Sequence, residues 1–171
     1  MKRNNEELHC LKIIQDMDTL SFCCDYYRSL GCPKIVLTTG AFDILHEGHT
    51  SYLKYARGLG NVLIVAINDD DFVRKIKGDE RPYHPHQKRA IHVAELNYVD
   101  LTYVFSQDEQ ISVIEYVKPS VFVMSETSHR KTSERQHQIA AVERCGGRII
   151  VLPPFSKVHS TDIIKELRAK E

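Results

Sequence analysis

Short apolar runs alternate along the chain with stretches in which apolar residues recur at helical spacing. Five runs rich in β-branched residues predict buried strands, at residues 34–39, 62–67, 101–105, 121–124 and 148–152. The run at 62–67 is apolar at every position, which is typical of a parallel strand with both faces covered. The pattern therefore predicts a doubly wound α/β fold around a parallel sheet of about five strands.

The segments between these runs predict helices that mostly end at glycine or proline. They cover residues 18–30, 50–59, 85–96, 108–117, 135–145 and 161–170, and Asp18 is the predicted cap of the first. Residues 72–84 are charged and weakly periodic, and they predict a loop with a partial helix. Ligands bind such sheets beyond the carboxyl ends of the strands, which are followed here by residues 40–49, 68–71, 124–131 and 153–160.

Composition and charge limit the classes of protein that fit the chain. Its 171 residues suffice for a single domain, predicted at 11–171 behind a polar tail at 1–10. The 23 basic and 23 acidic residues balance, which argues against a nucleic-acid partner or a membrane surface. No apolar run approaches the ~20 residues of a membrane span. Five cysteines without a Cys-x-x-Cys pair favour reduced thiols and a cytoplasmic location.

The candidate chemistry lies in the segment 40–49, between the first long strand and the next helix. His46 and His49 are three residues apart, so both rings are expected on one face of the first helical turn. Gly48 lies between them and permits close approach of a ligand to the backbone. A helix N-terminus favours phosphate, because its free N–H groups and dipole attract negative charge. The spacing of three excludes the zinc-protease motif, which needs histidines four apart.

The segment also carries a family resemblance. Gly40-x-Phe42-Asp43-x-x-His46-x-Gly48-His49 resembles the signature of the cytidylyltransferase-like nucleotidyltransferases. The resemblance implies a Rossmann-like domain in which His46 and His49 bind phosphates and stabilise the transition state. It also implies that Lys77, Arg89, Ser160 and Thr161 contact the triphosphate, that Mg²⁺ accompanies it, and that the protein is a homodimer.

Two branches of this family are similar to the chain. Residues 77–82, followed by Gln87-Lys88-Arg89, resemble the adenylyltransferase domain of the heptose-phosphate kinase/adenylyltransferases. Three other segments are similar to glycerol-3-phosphate cytidylyltransferases, namely Tyr83-His84, Lys88-Arg89 and Phe122-Val123-Met124. The segment 124–129 departs from both branches, in a position that the resemblance assigns to base and acceptor recognition.

Strand ends and resemblance together predict three groups of site residues. The catalytic group is His46, His49 and Lys77, with Lys77 in the flexible loop. The nucleotide-binding group is Thr39, Gly40, Ala41, Phe42, Gly48, Arg89, Ser160 and Thr161. The substrate-binding group is Asp43, Asn68, Asp70, Met124, Ser125 and Glu126, although Asp43 also suits stabilisation of the turn. No protein side chain is predicted as a metal ligand.

The expected activity is transfer of an NMP, with AMP favoured, from an NTP to a phosphorylated small molecule such as a sugar phosphate, with release of pyrophosphate. One alternative is a CTP-dependent cytidylyltransferase acting on glycerol phosphate or a similar alcohol phosphate. Another is a nucleotide-binding protein without turnover, which the divergent segment 124–129 favours and the intact His46, Gly48 and His49 oppose.

Overall fold

Six parallel strands form one sheet in the structure, a computed structural model that describes residues 12–126 and 133–156. The strands are β1 (Ile13–Ile14), β2 (Ile35–Gly40), β3 (Val62–Asn68), β4 (Leu101–Phe105), β5 (Val121–Ser125) and β6 (Arg148–Leu152). Their order across the sheet is β1-β4-β3-β2-β5-β6, and every neighbouring pair is parallel. The predicted doubly wound α/β fold is confirmed.

The strand count of about five was one too low. The additional strand β1 pairs Ile13 with Thr102 and Ile14 with Tyr103 at one edge of the sheet. Two residues are too few to show an alternating pattern, so nothing in the sequence distinguishes β1 from the polar segment before it.

Helices cover both faces of the sheet. They are α1 (Met17–Ser29), α2 (Glu47–Arg57), α3 (Asp70–Lys77), α4 (His86–Ala94), α5 (Gln110–Val117) and α6 (Ser133–Arg144). The buried residues of α1, α5 and α6 pack on one face, and those of α2 and α4 pack on the other. The predicted last helix, 161–170, lies outside the described residues. Among the helices that the structure describes, none combines the length and the apolarity that crossing a membrane would require.

Two local predictions need correction. The cap of α1 is Asp16 and not Asp18, since the Asp16 carboxylate accepts a 2.7 Å hydrogen bond from the Thr19 amide. The partial helix predicted within 72–84 is α3, which begins slightly earlier, at Asp70, and is capped by Asp69, whose carboxylate accepts from the Phe72 amide at 2.7 Å. Acidic residues at its start and basic residues at its end suit the helix dipole, which explains a helix in so charged a segment. Lys77 is therefore the last residue of α3 and not part of a flexible loop.

Candidate functional site

The two histidines lie at the start of α2, directly beyond the carboxyl end of β2. His46 is the N-cap of α2, and its Nδ1 atom accepts a hydrogen bond from the Gly48 amide at 3.1 Å. Because Nδ1 is the acceptor, the proton of the neutral His46 ring resides on Nε2. The His46 and His49 rings are in contact, with centroids 4.0 Å apart. The predicted pairing of the two rings is what the structure shows.

His49 is held as a neutral imidazole. Burial, then the neighbouring His46 and Lys77, lower the pKa of His49 to about 4, although the Ile44 carbonyl and Asp43 oppose the shift. Nδ1 of His49 is buried and has no hydrogen-bond partner among residues 12–126 and 133–156. His49 can therefore act at neutral pH as a hydrogen-bonding group without charge.

We expect the depressed pKa of His49 to make folding stability depend on pH. Between about pH 6.5 and 4 the unfolded chain binds a proton on this histidine while the native protein does not, so acidification destabilises the fold. The effect is on the order of 2–3 kcal/mol at ~1.4 kcal/mol per pKa unit. Urea unfolding of the wild type and of His49→Asn at pH 7 and pH 4.5 measures it. Equal pH slopes for the two proteins would contradict the assignment.

Gly48 leaves no room for a side chain. A Cβ atom there would lie 2.9 Å from Cε1 of His46, 3.0 Å from its Nδ1 and 3.0 Å from Cβ of Ser156. Glycine is thus required by the close approach of the His46 ring and of the chain beyond β6, in addition to any approach of a ligand.

Gly48→Ala is expected to displace the His46 ring and to lower kcat by roughly 10- to 100-fold, because a shift of about 1 Å suffices for such a loss. The melting temperature should change little, because the atoms nearest to the added Cβ belong to side chains, which can move more easily than backbone. Gly58→Ala, just after the same helix, is the control and should retain full activity. Normal turnover of Gly48→Ala would show that the position of the His46 ring is unimportant.

The turn before α2 is held in a strained conformation. Phe42 has φ 45°, in the left-handed region that a bulky residue seldom adopts. Its buried ring packs edge-on against His49, with centroids 5.6 Å apart. Such strain persists only where surrounding contacts impose it, and it concentrates at functional sites.

Asp43 supplies part of that restraint. Its buried carboxylate accepts from Arg81, with Nη2 at 2.7 Å and Nε at 2.8 Å. It also accepts from the backbone amides of Tyr83 and His84, each at 2.9 Å. These donors match the acceptor capacity of the two carboxylate oxygens. The contacts assign Asp43 to stabilisation of the turn, and its predicted contact with substrate stays a prediction.

Arg89 restrains the same region from the other side. Its side chain is fully buried, and it donates to the carbonyls of His84, Ala41 and Asn68 and to the Asp70 carboxylate. Partial burial alone would raise the pKa of Asp70, but Arg89, with help from His86, holds it below its usual value. Four of the five Arg89 N–H groups thus bind protein oxygens. The predicted contact of Arg89 with triphosphate stays a prediction, and the observed role is to join the ends of β2 and β3.

A cavity of about 180 Å³ opens at the carboxyl ends of β2 and β3. Thr39, Gly40, Ala41, Asn68 and Lys77 line it, which brings five predicted site residues together. Lys77 is exposed to solvent but lies in this concave surface, so that partial burial, followed by the charge of Arg81, lowers its pKa.

The predicted substrate-binding residues at the end of β5 differ in their exposure to solvent. Met124 is buried in the core, Ser125 is half-buried, and Glu126 is exposed. The Glu126 amide donates to the Leu152 carbonyl and so extends the pairing of β5 with β6. Packing thus occupies the Met124 side chain, and its predicted contact with substrate stays untested.

The chain beyond β6 returns to the start of α2. The Ser156 hydroxyl donates to the Glu47 carboxylate at 2.9 Å, and the Phe155 ring packs on Tyr55 with centroids 5.8 Å apart. The predicted phosphate ligands Ser160 and Thr161 follow this segment and lie outside the described residues.

Sequence reasoning missed a second wall of the cavity. Gln110 of α5 and Glu134, Arg135 and Gln138 of α6 also line it. Gln138 is almost fully buried, but a glutamine in a polar helix gives no sign of burial in the sequence. The available signal was the spacing of three between Arg135 and Gln138, which places both side chains on one helical face.

A family profile described as cytidylyltransferase-like matches residues 37–166, most of the chain. The chain belongs to the cytidylyltransferase-like family. Its expected class, a nucleotidyltransferase of the HxGH type with a Rossmann-like fold, is thereby confirmed.

Similar proteins within and around this family agree with the assignment. The bifunctional protein HldE of Desulfatibacillum aliphaticivorans is 40% identical over 79% of this chain and 27% of its own length. HldE of Shewanella loihica is 36% identical over 90% of this chain and 32% of its own length. The chain thus spans about a fifth to a third of the length of the curated relatives it matches.

Solved structures show the same fold. A lipopolysaccharide core biosynthesis protein from Thermoplasma volcanium superimposes with a TM-score of 0.59 at 27% identity, covering 74% of this chain and 98% of that one. A pantoate-beta-alanine ligase from Francisella tularensis gives a TM-score of 0.58 at 18% identity, covering 91% and 76% of the two chains. At that identity the second likeness concerns the fold alone.

Proposed function

We propose that the protein transfers AMP from ATP to a sugar phosphate and releases pyrophosphate. The observation that carries the proposal is the contact of His46 and His49 above the N-terminus of α2, beside a cavity lined by Lys77. The likeness to the HldE proteins and to a lipopolysaccharide core biosynthesis protein supports a sugar phosphate over an alcohol phosphate.

The reaction needs positioning and positive charge more than covalent participation of the protein. An oxygen of the acceptor phosphate attacks the α-phosphorus of ATP, the bond from that phosphorus to the β-phosphate oxygen breaks, and pyrophosphate leaves. Nε2–H of His46 donates to a phosphoryl oxygen on which charge accumulates, since Nδ1 is already engaged by the Gly48 amide. His49 adds a second neutral donor or acceptor, and the helix N-terminus adds its partial positive charge.

Mg²⁺ would enter with the triphosphate. Within the described ranges no group of three or more His, Cys, Asp or Glu side chains is arranged to hold a metal ion. Asp43 and Asp70 are engaged by Arg81 and Arg89 respectively. The phosphate oxygens would therefore supply most metal ligands, and the ion would neutralise charge on the leaving group.

We further propose that Ser160 and Thr161 complete the phosphate site. Ser156 lies against Gly48 and Glu47, and four residues extend by at most about 14 Å. This upper limit supports the proposal that Ser160 contacts the same phosphates as His46. A cytoplasmic location and a homodimeric state also belong to the proposal; the first rests on the five cysteines without a Cys-x-x-Cys pair, and the second on the resemblance.

Lys77→Ala is expected to lower kcat more than it weakens binding of AMP. The Lys77 ammonium lies close enough to His49 to lower its pKa, which supports a position of Lys77 near the phosphates on which charge accumulates. We expect a loss of roughly 10²-fold in kcat, as for removal of one charge stabiliser. Steady-state kinetics and calorimetric titration with AMP measure the two effects. Equal losses would place Lys77 at the nucleoside instead.

The proposed activity is tested by a grid of four NTPs against phosphorylated acceptors, scored by release of pyrophosphate in the presence of Mg²⁺. Release with ATP and a sugar phosphate supports the proposal. Release only with CTP and glycerol 3-phosphate supports the cytidylyltransferase alternative. Nucleotide binding without any release would leave a binding protein and overturn the proposal.

A further inference from the structure

The cavity beside the histidine turn has a second, polar wall that the proposed phosphate chemistry does not use. Its first wall includes Gly40 and Ala41, the residues that lead into the histidine turn. Lys77 lines the same cavity and acts electrostatically on His49. A molecule in the cavity would therefore lie next to the proposed position of the reacting phosphates.

The second wall is organised by a chain of directed hydrogen bonds. Arg135 donates to Oε1 of Gln138 at 2.6 Å, and Nε2 of Gln138 donates to Oε1 of Gln110 at 2.8 Å. Nε2 of Gln110 then donates to the Gln107 carbonyl at 3.2 Å. Each amide thus has a fixed orientation. Burying an amide without hydrogen-bond partners costs free energy. These hydrogen bonds therefore indicate a polar surface that is already formed before a ligand binds.

A second set of hydrogen bonds connects this wall to α3. Lys75 at the end of α3 donates to the Gln107 side chain, whose amide donates to the Glu134 carboxylate at 2.9 Å. Gln107 thereby links α3 to α6. The link keeps Glu134, an exposed residue, in place at the edge of the cavity.

The chemistry of the lining indicates what the cavity can bind. Lys77 and Arg135 carry positive charge, against the single carboxylate of Glu134, so a phosphate is attracted. Amides and a carboxylate in fixed positions are suited to hydroxyl groups, which both donate and accept. A site built to bind hydroxyls discriminates strongly against analogues that lack them, because its own polar groups would stay unpaired.

We propose that this cavity binds the sugar-phosphate acceptor of the proposed reaction, and that Arg135, Gln138 and Glu134 determine acceptor specificity by binding its phosphate and hydroxyl groups. The inference rests on the proposed nucleotidyl transfer. It places acceptor recognition on α6 and the residues facing it, and not at the end of β5.

The test compares Arg135→Gln with Arg144→Gln on the same helix. Arg144 lies on the exposed side and pairs with Glu115, so its loss should leave all kinetic constants unchanged. Arg135→Gln should raise KM for a sugar phosphate by roughly 10- to 100-fold, the scale of a hydrogen bond to a charged group. KM for the NTP should change less than threefold, and Arg135→Lys should recover part of the loss.

A second variant, Glu134→Gln, tests the inference even if Arg135→Gln does not fold. Glu134→Gln alters an exposed side chain and should preserve the melting temperature while raising KM for the sugar phosphate severalfold. Ethyl phosphate, which lacks hydroxyls, should be a poor acceptor for the wild type.

The outcomes separate the inference from the function on which it rests. Turnover by the wild type with an unchanged acceptor KM in folded Arg135→Gln and Glu134→Gln overturns the inference and leaves the function intact. Ethyl phosphate used as well as a sugar phosphate overturns recognition of the acceptor through its hydroxyl groups. No pyrophosphate release by the wild type with any acceptor overturns both.

Discussion

Replacement of His46 or His49 by alanine is expected to lower kcat by roughly 10²–10³-fold, the scale of losing one donor that stabilises transition-state charge. The reason is geometric. The rings are in contact at the N-terminus of α2, and the Gly48 amide fixes His46 so that Nε2 carries the proton. Neither ring is part of the two core clusters, so the fold should survive. Steady-state pyrophosphate release and thermal unfolding measure the two effects.

His92→Ala is the matched control, because His92 is an exposed histidine on α4 outside the cavity and the histidine turn. It should retain near wild-type kcat. A His46 or His49 variant as active as His92→Ala would exclude that histidine from the reaction.

Arg89→Met is expected to destabilise the protein by about 3–5 kcal/mol, as for breaking a buried ion pair by removing one partner. Methionine fills much of the volume but leaves the Asp70 carboxylate and the carbonyls of Ala41, Asn68 and His84 without their donor. In a domain of this size the melting temperature should fall by roughly 6–20 °C. Urea unfolding and thermal scans provide the measurement.

Arg74→Met supplies the comparison for this prediction. Arg74 pairs with Asp71 on the exposed side of α3, where the arginine is 46% and the aspartate 89% exposed. Such surface pairs contribute about 0–1 kcal/mol. Similar losses of unfolding free energy for the two variants would show that the Arg89 contacts do not hold the strand ends together.

The features that were predicted from the sequence are those that depend on residues close together in the chain. The parallel sheet followed from apolar runs, and the paired histidines followed from a spacing of three at a helix start. β1 was missed because its stability comes from pairing with residues near 102, some 90 positions away. Helix α3 was missed in part because its capping and dipole interactions are weak signals in a stretch with few apolar residues.

The remaining site features depend on contacts between distant segments. Asp43 binds Arg81 across 38 positions, and Arg89 binds Ala41 across 48. Only the strand order of the folded sheet brings these groups together. The same holds for Gln138 and Gln110, 28 positions apart, whose burial could not be inferred from a polar helical pattern.

The carboxylate of Asp43 also constrains how this chain can vary in length. It binds the Arg81 side chain and the amides of Tyr83 and His84. These contacts restrict the number of residues that the connection between α3 and α4 can contain. An insertion at 82–84 would separate donors that must meet one carboxylate, and the strained turn ahead of the histidines would lose its support. Surface connections ordinarily tolerate such insertions. In this protein the spacing from Arg81 to His84 supports the turn that carries the proposed catalytic histidines, although none of these residues need touch a substrate.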